Sequence, residues 1–79
     1  MQYFVRTMEK HKESPLDFGP ELPCSALIEA KDMAKRQVME SDPSRMLQAD
    51  ACVRRGTLVW TKYRCWIDER GDFHERALI

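Results

Sequence analysis

The chain has 79 residues, of which 43% are hydrophobic and 33% charged, with two Trp, two Tyr and three Phe. That suffices for one minimal folded domain and leaves no room for a second, while the apolar content excludes a wholly disordered chain. Thirteen Lys and Arg balance thirteen Asp and Glu for a net charge of zero, which excludes both a polyanion resembling DNA and a general polycation.

Gln2 to Met8 joins Tyr, Phe, Val and Thr, the aromatic and β-branched mix of a strand. Neither the apolar core of a signal peptide nor a membrane span of about 20 residues is present, so the expectation is a cytoplasmic chain that does not enter a membrane. Residues 9–23 are polar and carry Pro15, Gly19, Pro20 and Pro23, which predicts a proline-rich surface loop.

From Cys24 to Glu40 there is no Gly or Pro, and Leu27, Ala30, Met33, Ala34 and Val38 recur at helical spacing, predicting an amphipathic helix. Ser25 is the expected N-cap, and Asp42 and Pro43 mark the exit. Its outer face carries Glu29, Asp32, Arg36 and Glu40, with Asp32 and Arg36 spaced to pair.

After Pro43 the period becomes two: Leu47, Ala49, Ala51 and Val53 alternate with Gln48, Asp50, Cys52 and Arg54 in a second strand. Arg55-Gly56 predicts a tight turn, Thr57 to Ile67 a third strand, Arg70-Gly71 a second turn, and Asp72 to Leu78 a charged edge strand. The expectation is a single α+β domain over residues 1–79, in the order β-α-β-β-β. The last three strands form an antiparallel meander, the first joins the sheet, and the helix covers one face.

Three glycines, at positions 19, 56 and 71, cannot build a phosphate loop or a dinucleotide fingerprint. Cys24, Cys52 and Cys65 are odd in number and widely spaced, so they read as small buried apolar residues in a reducing compartment. Their spacing, with His11 and His74, does not match a structural zinc site, and no metal or cofactor is expected. The carboxylates Asp68, Glu69, Asp72 and Glu75 flank a turn, where they keep an edge in water. No nucleophile stands beside a base, so no enzyme activity is expected.

Strict alternation in the third strand places Leu58, Trp60, Lys62, Arg64 and Trp66 on one face, opposite a core set of Val59, Thr61, Tyr63, Cys65 and Ile67. Residues 45–64 hold five cations against Asp50 alone. Trp60, Lys62, Arg64 and Trp66, with Arg54 and Arg55, form a candidate binding surface; Lys31, Lys35 and Arg36 add a smaller basic group on the helix. Cations among aromatics suit a protein interface or a single-stranded nucleic-acid platform. They equally suit a packed secondary cluster or a homodimer face.

The order strand, proline loop, helix with Glu29-Ala30-Lys31 and Ala34-Lys35-Arg36, and hairpin closing on Trp66-Ile67-Asp68-Glu69-Arg70-Gly71 resembles small αβ proteins of phages and mobile elements. Among these are anti-CRISPR inhibitors of multi-subunit, RNA-guided surveillance complexes. The resemblance implies a non-enzymatic inhibitor in the host cytoplasm that binds a Cas effector complex and blocks target DNA or nuclease access. The basic sheet segment and zero net charge depart from members that mimic DNA with acidic surfaces. A small nucleic-acid-binding protein is the alternative, and monomer and homodimer both stay open.

Overall fold

The computed structural model describes residues 1–9 and 19–78. In chain order these form β1 (Gln2–Glu9), β2 (Leu22–Cys24), α1 (Leu27–Met39), a short 3-10 turn (Pro43–Arg45), β3 (Leu47–Arg55), β4 (Leu58–Ile67) and β5 (Phe73–Ala77). The sheet runs β2-β1-β3-β4-β5 with every pairing antiparallel, and α1 packs on one face, an α+β architecture. The β3-β4-β5 meander and the joining of β1 to the sheet agree with the sequence, and the structure places β1 beside β3.

One strand was not expected. The composition of 9–23 predicts loop throughout, yet Glu9 ends β1 and Leu22–Cys24 pairs with Val5, Phe4 and Tyr3 as an outer strand. Pro23 is tolerated there because an edge strand leaves one side of its backbone unpaired. Residues 10–18 of that loop lie outside the described residues.

Because Cys24 belongs to β2, the helix begins three residues later than its period suggests. Its N-cap is Ala26, whose side chain caps nothing, so the expected role of Ser25 is not the one observed. Glu29, in the first turn, instead reaches back and accepts hydrogen bonds from the Ser25 amide at 3.0 Å and from the Ser25 hydroxyl. A carboxylate at a helix N-terminus also complements the dipole.

Ala30, Ala34 and Val38 are fully buried against Val5, Ala49, Ala51, Tyr63, Cys65 and Ile67. Small side chains on both partners bring helix and sheet close together, and a close-packed interior of this kind accepts little added volume. β3 lies at the centre of the sheet, and Leu47 to Val53 are buried on both faces. On the face away from the helix, Phe4, Gln48, Asp50 and Cys52 are all shielded.

The decisive irregularity is in β4. Ala51 pairs with Tyr63 but Cys52 pairs with Thr61, so Lys62 is an extra residue and the strand bulges there. Below the bulge Tyr63, Cys65 and Ile67 face the helix. Above it the parity reverses, and Trp60 lies opposite Val53, which itself lies opposite Tyr3. The single face expected for Leu58, Trp60, Lys62, Arg64 and Trp66 is therefore divided between the two sides of the sheet.

Candidate functional site

The sheet extends past the N-terminal end of α1, and the row Tyr3, Val53, Trp60 crosses three strands there. With Leu27 at the start of the helix and Met1, this row forms the apolar wall of a cleft of about 320 Å³. Arg55 and Lys62 also line it, and among the described residues no carboxylate takes part. Trp60 is 42% exposed and Leu58, at the hairpin tip, 59%. The tip is a two-residue turn, Gly56-Thr57, whose Gly56 adopts φ +61° while Thr57 is not in the positive region, the sign pattern of a type II′ hairpin.

Every sequence-chosen residue now has a place, and they do not form one surface. Arg54 lies over the Phe4 ring at 4.6 Å and donates to both oxygens of Glu21 at 2.9 and 2.6 Å. The pairing raises the guanidinium pKa and, with Arg54 as the main cause, lowers that of Glu21. Arg64 donates to both oxygens of Asp50 at 2.9 and 3.2 Å, and that hydrogen bonding raises its pKa. Gln48 donates to the same carboxylate at 3.3 Å, so Asp50 sits in a small polar network on the far face of the sheet.

Trp66 stacks on His74 with ring centroids 5.4 Å apart, and His74 Nε2 lies 2.7 Å from Asp68 Oδ2. Asp68 Oδ1 accepts from the amides of Arg70 and Asp72 at 2.9 and 3.0 Å. These bonds, His74 first, hold the Asp68 carboxyl below its ordinary range. On the helix, Lys31 and Lys35 lie 6.0 and 5.7 Å from the centre of the Tyr63 ring, and Lys35 comes 3.9 Å from Glu75. The Tyr63 hydroxyl donates to Glu75 at 3.0 Å, and burial is the main reason its pKa is raised. Arg36 is exposed on the outer face of the helix, away from the cleft lining.

Of the nine chosen residues the structure gathers three, Arg55, Trp60 and Lys62. Among the described residues neither Arg55 nor Lys62 is engaged by a carboxylate. Sequence reasoning missed Met1, Tyr3, Leu27 and Val53. The signal for Tyr3 and Val53 is the strand register, which stacks them beside Trp60 once β1 is placed next to β3. Among the described residues no three or more His, Cys, Asp or Glu come together as a metal site, and no helix is long and apolar enough to cross a membrane. Compared with family models, with curated proteins and with solved structures, the chain matches none of them.

Proposed function

We propose that the protein is a non-enzymatic protein-binding module that engages its partner through the cleft at the β3–β4 hairpin end. The observation that carries this reading is the exposed Trp60, set over an apolar wall and flanked by two cations that no carboxylate among the described residues engages. Trp and Arg at the centre of a depression are the residue types that contribute most to protein interfaces. The lining is apolar and cationic, a composition suited to holding a side chain.

The resemblance to anti-CRISPR inhibitors names the partner to try first, a multi-subunit RNA-guided surveillance complex, with occlusion of target DNA or nuclease as the mode of action. The three thiols are free, which supports a reducing compartment such as the cytoplasm of a host cell. Affinity capture from host lysate with the wild-type chain and with Trp60→Ala tests the reading. The expected result is a protein recovered in stoichiometric amount by the wild type and lost with Trp60→Ala. Recovery of nothing, or equal recovery by both, contradicts it. With a purified surveillance complex, the wild type is expected to lower target-DNA binding or cleavage and Trp60→Ala to leave both unchanged.

A further inference from the structure

Resting on that reading, we infer that the cleft takes an acidic peptide segment of its protein partner, one large apolar side chain seated against Trp60 and a neighbouring carboxylate held by Arg55 and Lys62. The apolar requirement follows from the wall, where Tyr3, Leu27 and Val53 stand around the Trp60 ring. A cleft of about 320 Å³ lies at the small end of the range for ligand sites, the scale of a side chain and its immediate neighbours. The acidic requirement follows from charge. Among the described residues, Arg55 and Lys62 are both in the lining, no Asp or Glu is, and neither cation is neutralised. Bringing a cation of the partner there would set like charges together, whereas a carboxylate completes the pair.

The same geometry disfavours a nucleic-acid strand as the occupant. A strand-binding groove needs cations in series along the phosphates and aromatic rings in succession for the bases. Here Arg54 and Arg64 are bound to Glu21 and Asp50, and Trp66 is on the other face of the sheet from Trp60, stacked on His74. What remains in the cleft is the Trp60 indole beside the Tyr3 phenol, two cations and the aliphatic Leu27 and Val53, too short a run for successive phosphates and bases.

The test is selection of a random dodecapeptide library on three immobilised forms of the full chain: wild type, Arg55→Glu/Lys62→Glu and Trp60→Ala. The charge-reversed form changes two exposed or half-buried side chains at the rim and leaves the core intact. The wild type is expected to enrich peptides with an aromatic or large aliphatic residue within two positions of Asp or Glu. Synthetic copies with Glu and Asp replaced by Gln and Asn are expected to bind on the order of tenfold more weakly, and charge reversal to lower affinity for the acidic copies by a similar factor. Enrichment without acidic residues, or affinity unmoved by charge reversal, overturns the acidic occupant; if Trp60→Ala still abolishes that binding, the cleft stands as a protein site of another kind. Enrichment that survives Trp60→Ala, or no enrichment at all, removes the cleft as a site. Binding of a 20-residue oligothymidylate that is lost with Trp60→Ala overturns the inference in favour of nucleic acid.

Discussion

Asp50 is 1% exposed, and its charge is tolerated there because Arg64 meets it with two hydrogen bonds. Removing one partner of such a pair costs more than removing both, since the remaining charge has no water to return to. Arg64→Met is therefore expected to lower stability by about 2–3 kcal/mol in urea denaturation, and Asp50→Leu/Arg64→Met to recover most of the loss. An unchanged midpoint for Arg64→Met would mean that the pair does not support the sheet. A second effect at this scale concerns pH. Burial pushes the Cys65 thiol up from an ordinary value of 9.0 to about 11. The folded state thus favours the protonated thiol, and this contribution is fully present below pH 9 and lost as pH rises toward 11. Stability measured across that window is expected to fall, with Tyr63, also raised by burial, adding to the slope at higher pH; Cys65→Ala is expected to flatten it. A slope identical in Cys65→Ala would assign the alkaline loss elsewhere.

The bulge at Lys62 is the element on which the site depends, and strict alternation over Thr57 to Ile67 does not foresee it. A two-residue turn at Gly56-Thr57 pairs Arg55 with Leu58 and Val53 with Trp60. Continued without interruption, that register would set Lys62 opposite Ala51 and Arg64 opposite Ala49, driving two cations under the helix. Tyr63, Cys65 and Ile67 can occupy the core only if one residue is inserted between, because a shift of one exchanges the two faces. Helix, meander and core could be read because each repeats over several residues. Strict alternation misplaced Trp60 because nothing in Leu58 to Ile67, neither Gly nor Pro, marks where the strand slips. β2 escaped for another reason, since three residues including a proline carry no period. Deleting Lys62 is expected to abolish the cooperative transition and the dispersion of the amide spectrum. Retention of the native spectrum would show that the register does not rely on the bulge. At the tip, Gly56→Ala, forced into positive φ, is expected to cost about 1 kcal/mol.

At the scale of the molecule, charge and apolar surface are sorted by position. The far face of the sheet ties Arg54 to Glu21 and Arg64 to Asp50, and the β4–β5 turn ties His74 to Asp68. The helix lays Lys31 and Lys35 over Tyr63. Among the described residues, what is left unengaged at the hairpin end is Trp60 with Arg55 and Lys62, which is why a basic, aromatic strand that looks continuous in the sequence offers one compact cleft in three dimensions. The sequence-chosen set contained these three residues; of the six others, Arg36 stays exposed on the helix and five take internal roles that needed partners as distant as Glu21 and Asp50 to be in place. The two indoles provide the direct test of this division. In a two-dimensional NMR spectrum each gives one Nε1–H resonance, and titration with a selected acidic peptide, or with the captured partner, reads both at once. The expected result is a shift or broadening of the Trp60 resonance with that of Trp66 unmoved, its stacking on His74 preserved. A perturbation centred on Trp66, or equal on both, would contradict the assignment of the binding surface to the hairpin-end cleft.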